Sequence, residues 1–207
     1  AASVWACGDD RHPKSPVRSW ASTIVGLERL ASLCNGLPLF LDETKRARSY
    51  GNKSELPAGV YAICNGQGRT RGAVKGSQAL PHWRTICLTT GETPISEQSR
   101  DGGTVTRTVS MWGSPFGGHS AAVPAMTAAV CETYGRLGPA FVRWYIEHKA
   151  ELGLRAMLAA STKRIATVIG DSPVAQRITR YLACIDLAGR LVHQAELLPW
   201  DYEDPVI

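Results

Sequence analysis

The sequence predicts an α/β fold, in which a parallel sheet carrying a β-hairpin insertion is followed by a helical block. Three observations carry this expectation. Leu37-Pro38-Leu39-Phe40-Leu41 is an apolar run opened by Asn35-Gly36 and closed by Asp42-Glu43. A run of that length between turn signals reads as a strand buried on both faces, as in the middle of a parallel sheet. A second run, Thr85-Ile86-Cys87-Leu88-Thr89, ends in Thr90-Gly91-Glu92. Beyond Pro115-Phe116-Gly117-Gly118 the pattern turns helical and stays so. The expected division is therefore an α/β core over residues 1–118 and a helical block over 119–207.

The elements follow in order. A short helical piece at residues 1–6 precedes a loop in which Pro13 and Pro16 discourage helix. Residues 17–21 suit a short strand. Ser22 or Thr23 caps a helix to Leu33, with Ile24, Leu27, Leu30, Ala31 and Cys34 on one face and Gly36 as the stop. Residues 54–64 read as a helix with Ser54 as cap, a proline in its first turn and Asn65-Gly66 as its end. Gly68, Gly72 and Gly76 alternate with Arg69, Arg71 and Lys75, and Lys75-Gly76 suits the tip of a β-hairpin. Residues 105–111 alternate valine with polar residues and read as a third strand carrying Arg107. Helices are expected at 121–134, 139–152, 153–169 and 173–197.

Composition narrows the function classes. The 207 residues suffice for one sizeable core. Hydrophobic residues at 44% and charged residues at 20% mark a soluble globular chain. A formal charge of +5 suits a phosphate-bearing partner, and suits a merely solvated surface as well. Six cysteines, Cys7, Cys34, Cys64, Cys87, Cys131 and Cys184, form no Cys-x-x-Cys pair, so buried free thiols are expected and a zinc site is not. No basic-then-apolar leader and no apolar stretch near eighteen residues is present, which points to a reduced, cytoplasmic protein without a membrane partner. His12, His82, His119, His148 and His193 lack ligand spacing, and the tryptophans, Trp112, Trp144 and Trp200 among them, are expected in the core.

The chemistry centres on the two acids. Ligands of open α/β sheets bind beyond the carboxyl ends of the strands, where Asp42 and Glu43 would project. In nucleoside triphosphatases the first acid of such a Walker B strand holds the magnesium shell and the second polarises the attacking water. The competing reading is an ordinary strand followed by a solvated acid pair. Thr89, Thr90 or Glu92 would stand beside the acids if the second strand neighbours the first, although threonines are also ordinary strand formers. Gly118-His119-Ser120-Ala121-Ala122 imitates a nucleophile elbow, with Asp186 and His193 later in the chain. The elbow needs a strand before its serine, and the preceding residues read as a loop, so Ser120 is better taken as a helix cap.

Several segments together resemble one family. Ala1-Ala2-Ser3-Val4-Trp5, Trp20-Ala21-Ser22-Thr23, Leu39-Phe40-Leu41-Asp42-Glu43, the block from Val60 through Asn65-Gly66-Gln67-Gly68-Arg69-Thr70-Arg71, and the block from Trp83 to Thr90-Gly91-Glu92 are similar to the domain of unknown function 927. The similarity continues to Gln176-Arg177-Ile178-Thr179-Arg180-Tyr181 and Leu187-Ala188-Gly189-Arg190-Leu191. That family occurs in bacterial, phage and mobile-element proteins and is related to AAA+ helicases of the MCM type. The resemblance implies a partial AAA+ (P-loop NTPase) sheet with a hairpin insertion and a C-terminal helical, lid-like block.

It further implies roles by position. Asp42 and Glu43 would be the Walker B pair, with Asp42 toward magnesium, and Thr89 or Thr90 the sensor. Arg107 would act on a neighbouring subunit's nucleotide in a homo-oligomeric ring. Arg177 or Arg180, on a lid helix, would touch ATP. Arg69, Arg71 and Lys75 would meet DNA, single-stranded by preference, from a pre-sensor hairpin. The implied activity is that of an ATP-dependent, DNA-translocating helicase-like domain; the alternative is a non-catalytic remnant that binds DNA or a partner subunit. One departure stands out: the Gly-x-x-x-x-Gly-Lys-[Ser/Thr] phosphate loop expected ahead of Ala1 is not among the 207 residues. Gly72-Ala73-Val74-Lys75-Gly76-Ser77 lacks the spacing to replace it. The expectation is an excerpt or a truncated relative that binds ATP and magnesium only with that loop supplied.

Overall fold

The computed structural model describes all residues except Asp10, Asn52, Arg71, Val74, Lys75, Gln78, 99–101, Trp112, 114–117, Asp171 and 205–207. The chain forms two compact units, Ala1–Ala2 with Ala6–Glu132, and Ser3–Trp5 with Thr133–Ile207.

In the first unit, β1 (Val17–Ser19) and β2 (Leu39–Asp42) are joined by α1 (Ile24–Leu33). The Thr23 hydroxyl starts α1 by accepting from the Gly26 N–H at 3.1 Å, and Gly36 turns the chain at φ +83°. Leu27 and Ala31 are buried, and Ile24, Leu30 and Cys34 pack against the same core, so the periodicity of this helix is realised as expected. β2 pairs in parallel with β1 on one side and with β7 (Cys87–Thr89) on the other. Leu39, Phe40 and Leu41 are accordingly buried.

Between β2 and β7 lie β3 (Ser49–Tyr50) and β4 (Lys53–Ser54), paired antiparallel, then α2 (Leu56–Cys64) and the antiparallel pair β5 (Gly72–Ala73) and β6 (Gly76–Ser77). Helix α2 begins with Glu55 in the capping position, not Ser54. The Ser54 hydroxyl still accepts from the Leu56 N–H at 3.1 Å, one of the first-turn donors that have no partner within the helix. At its other end Trp83 donates its indole N–H to the Ile63 carbonyl at 2.7 Å, satisfying one of the acceptors a helix end leaves open. Trp20, Leu27, Leu39, Leu41, Leu56, Val60, Ile63 and Trp83 form the main body of the core. The register of β5 and β6 puts Gly76 in an arm opposite Ala73, while the expected tip residue Lys75 lies outside the described residues.

Three expectations need correction. The second strand is shorter and less buried than expected, with Ile86 68% exposed and Cys87 and Leu88 half-buried, because β7 pairs with β2 alone among the described strands. Residues 105–111 are not a strand. After the one-turn helices α3 (Ile95–Gln98) and α4 (Gly102–Val105) the chain turns at Thr106-Arg107. The hydroxyls of Thr106 and Thr108 reach back to the carbonyls of Gly103 and Thr104 at 3.3 and 3.2 Å, a local pairing that threonine offers in place of a sheet ladder. Trp200 is 61% exposed and not a core residue. α5 (Val123–Glu132), after a 3-10 turn at Ser120–Ala122, closes this unit.

The second unit contains α6 (Leu137–His148), α7 (Leu154–Ile169) and α8 (Pro173–Gln194). The short link from α7 to α8 ends in Ser172, whose hydroxyl caps α8 by accepting from the Ala175 N–H at 3.1 Å. Residues of Ser3–Trp5 dock here: the Trp5 ring lies 2.5 Å from where a side chain at Gly138 would begin, so glycine alone fits. Helices α7 and α8 are locked around Asp186, which is fully buried. Its carboxylate accepts from Ser161 at 2.5 Å and Arg190 at 3.1 Å, pairs with Arg164 at 3.1 Å, and accepts from Tyr202. Arg164 also pairs with Asp204. Burial pushes the Asp186 carboxyl up, and the hydrogen bonds from Ser161, Tyr202, Arg190 and Arg164 more than reverse it, holding it well below the usual carboxylate range. Tyr202 is pushed up to about 12, first by burial and then by the Asp186 carboxylate.

Two stability predictions follow from these packings. Leu41→Ala should cost about 2–5 kcal/mol in urea unfolding, whereas Leu37→Ala, at an exposed position, should stay within about 0.5 kcal/mol. Asp186, lowered in the folded state, stabilises α7 and α8 fully above its unfolded value and loses that contribution as pH falls through the folded one. Tyr202, raised, does so below its unfolded value and loses it as pH rises toward about 12. Protection of the α7 and α8 amides relative to their intrinsic exchange rates should therefore stay high between these limits and fall in Asp186→Asn throughout that window.

Candidate functional site

The parallel pairing puts the ends of three strands side by side. Ser19 stands opposite Asp42, and Leu41 opposite Thr89, so the residues leaving β2 and β7 share the carboxyl edge of the sheet. There Thr90 joins the two acids. Its hydroxyl donates to the Asp42 carboxylate at 2.5 Å and accepts from the Glu43 N–H at 3.1 Å. The Thr44 N–H donates to the Thr90 carbonyl at 3.0 Å, and the Thr90 N–H to the Leu41 carbonyl at 3.3 Å. Thr89 does something else: its hydroxyl accepts from the Trp20 indole N–H at 2.7 Å, tying the edge to the core. Of the two threonines named from the sequence, Thr90 is the one that bonds both acid positions, while Thr89 bonds Trp20.

Glu43 has φ +60° and ψ +88°, a left-handed conformation uncommon for a residue with a side chain. Such backbone costs on the order of 1–3 kcal/mol and persists only where surrounding bonds impose it. Here they do: Thr90 holds its N–H, and its own carboxylate accepts from the Lys45 N–H at 3.1 Å. The turn also requires Gly91, because a side chain there would begin 2.1 Å from the buried Thr44 hydroxyl. Lys45 pairs with Glu92, whose hydrogen bond and charge raise the lysine above its ordinary value. Asp42 and Glu43 are half-buried, Thr89 and Thr90 exposed, so the edge is open to a ligand.

Arg107 does not stand on a strand. Its guanidinium lies over the Tyr61 ring at 4.7 Å and donates to the Gly103 carbonyl at 2.7 Å. Arg69 is largely exposed and pairs at 3.7 Å with Glu28, which is buried on α1. Glu28, Tyr61, Asn65, Gln67, Arg69 and Arg107 line a cleft of about 450 Å³. Glu28 and Tyr61 were missed in the sequence, although a carboxylate one residue after Leu27 and three before Ala31, on the inward face of a helix, was a readable signal. Arg71 and Lys75 lie outside the described residues. Arg177 and Arg180 are exposed on α8, in the second unit.

Other chemistries find little support. No group of three or more His, Cys, Asp or Glu side chains suited to a metal ion occurs among the described residues. The cysteines are free, and burial pushes Cys87 up to about 12 and raises Cys34 and Cys64, which favours the protonated thiol at these positions. Ser120 lies in a 3-10 turn, Asp186 is committed to its own network, and the His193 ring bonds the Gly189 carbonyl through Nδ1 at 2.7 Å. No helix of the described residues is long and apolar enough to cross a membrane.

Comparison with known proteins bears on the fold. Residues 1–81 match the family model described as domain of unknown function 927. A solved structure described as "SCCmec type IV Cch - active helicase" is similar with a TM-score of 0.77 and 20% identity. The similarity covers 98% of this chain and 36% of that one, so this chain spans about a third of that protein's length. No curated protein matches.

Glu43→Gly should relieve the left-handed backbone while losing a weak cap, and so should change the unfolding free energy in urea by no more than about 1 kcal/mol. Thr90→Val, which removes an exposed hydrogen bond to the Glu43 N–H, should destabilise by about 0.5–1.5 kcal/mol in the same measurement.

Proposed function

We propose that the chain is part of a helicase-like, DNA-translocating ATPase domain of the AAA+ type from a mobile-element or phage protein. The observation that carries this reading is the carboxyl edge of the sheet, where one threonine hydroxyl holds Asp42 and the strained Glu43 in a fixed relation. That is the arrangement phosphoryl transfer needs, since the protein's task there is positioning and charge neutralisation. The fold shared with the mobile-element helicase is consistent with it.

The donor set fits magnesium of the kind bound beside a nucleotide. Magnesium takes one or two carboxylates and fills its remaining positions with water and phosphate oxygens, so a single half-buried carboxylate is a sufficient protein share. Asp42 would hold that cation, which when bound would neutralise charge on the phosphates. Glu43 would orient the attacking water, with its carboxylate held by the Lys45 N–H at 3.1 Å. Thr90 fixes both acids as the sensor residue, and Thr89 anchors it through Trp20. Arg107 would serve a neighbouring subunit in a ring, and Arg177 or Arg180 a second sensing position. Arg69, with Arg71 and Lys75, would follow the DNA backbone. ATP binding in this reading needs a phosphate loop that the 207 residues do not contain.

The alternative is a non-catalytic protein that binds DNA or a partner subunit. The two part on one experiment. In the longer protein carrying a phosphate loop, Glu43→Gln should lower the ATP turnover rate by about 100-fold or more while leaving nucleotide binding intact. Undiminished turnover would remove Glu43 from its role, and no turnover in the parent protein would favour the non-catalytic reading. The 207-residue chain alone should hydrolyse no ATP.

A further inference from the structure

The cleft beside α2 lies in the first unit, and none of the roles given to Asp42, Glu43 or Thr90 uses it. Its construction is specific. The phenol oxygen of Tyr61 lies against Gly103, where any side chain would begin 1.7 Å away, so glycine at 103 is what lets the ring settle there. Arg107 covers the ring at 4.7 Å, with one guanidinium nitrogen bound to the Gly103 carbonyl. The Arg107 guanidinium is exposed as well as paired with the ring, so its solvent side is a cationic surface on which a further flat π system can be received.

Opposite, the Glu28 carboxylate is buried and holds the Nε edge of Arg69 at 3.7 Å, while two thirds of the Arg69 side chain remains exposed. The Asn65 amide donates to the Gln67 carbonyl at 3.1 Å, which fixes its orientation at the rim. Two arginines against one carboxylate leave the cleft cationic. Its volume falls in the range of sites for small organic ligands, not of sites for bare ions.

We infer that this cleft seats one nucleotide of a single-stranded nucleic acid, with the base stacked on the outer plane of Arg107 and a backbone phosphate on Arg69. A flat cationic platform accepts any base, and a neighbouring exposed guanidinium accepts a phosphate, so the contact tolerates sequence and depends on salt. A duplex keeps its bases stacked inside and does not offer one to such a platform. Arg107 thereby gains a role within its own chain, separate from any action on a neighbour's nucleotide. The inference rests on the nucleic-acid half of the function proposed above and deepens it.

The test uses fluorescence anisotropy of a labelled oligothymidylate of about 12 nucleotides, within the site sizes of single-strand binders, against the full 207-residue chain without ATP. Arg69→Ala should weaken binding about five- to tenfold and reduce the slope of log affinity against log salt by about 0.7, one phosphate's share. Arg107→Lys keeps the charge and loses the plane, so it should weaken binding about fivefold or more with the slope unchanged. Parent-like affinity in both variants overturns the cleft while leaving nucleic-acid binding in place. No binding by the parent chain at about 50 mM salt overturns the cleft and the nucleic-acid reading together. Equal affinity for duplex overturns the single-strand assignment, and competition by thymidine monophosphate as effective per nucleotide as the strand assigns the cleft to free nucleotides instead. ATP turnover does not enter the measurement, so a failure of the ATPase reading leaves its outcome standing.

Discussion

The parallel hydrogen bonding of β2 on both of its edges is the constraint from which the rest of the first unit follows. Once Leu39 is opposite Cys87 and Val17 opposite Phe40, the chain leaving β2 and the chain leaving β7 must emerge side by side. Parallel strands hold their register through evenly spaced, slanted bonds, and a slip of one residue would turn Leu39 and Leu41 away from the α1 and α2 side, where they pack. Burial of those leucines therefore fixes where Asp42 and Thr90 meet. The polar edge inherits its precision from the apolar strand behind it.

That edge also shows where stability yields to geometry. Glu43 keeps a left-handed backbone that glycine would adopt at lower cost, and Thr44 keeps a buried hydroxyl without a hydrogen-bond partner against Gly91. Both lie within two residues of Asp42. Strain of this kind clusters where function needs a side chain aimed in a direction that relaxed backbone does not give. The proposed roles of Asp42 and Glu43 supply such a need, and the bonds from Thr90 and to Lys45 are what hold the conformation in place.

The second unit handles charge differently. Asp186 is buried, yet it collects donors from Ser161, Arg190 and Tyr202 and a further arginine, which spreads one buried charge over α7, α8 and the segment that follows them. A lone buried carboxylate would cost several kcal/mol, on the order of the whole stability of a small unit, so the network is a condition of the burial. The serine and histidine that imitated a hydrolase in the sequence are absorbed by helix geometry, Ser120 in a turn and His193 on the carbonyl one helical turn behind it.

The sequence by itself determined the elements whose signals are local. The capped helix from Ile24, the apolar strand ending at Asp42 and the helices after residue 120 follow from periodicity, caps and turn glycines, which act over one or two turns of chain. It misjudged what neighbours decide. Residues 105–111 carry strand-like alternation, but threonine hydroxyls satisfied the backbone locally and no strand among the described residues pairs with the segment. The burial of residues 85–89 depended on whether a further strand would pair with β7, which no local pattern can state. Thr90 and Asp42, Trp20 and Thr89, and Arg107 and Tyr61 are each separated by more than forty residues in sequence, and chemistry at such distances is assigned by the register of the sheet and the packing of α2. The sequence named the acids; only the tertiary structure chose Thr90 to hold them and set Tyr61 beneath Arg107.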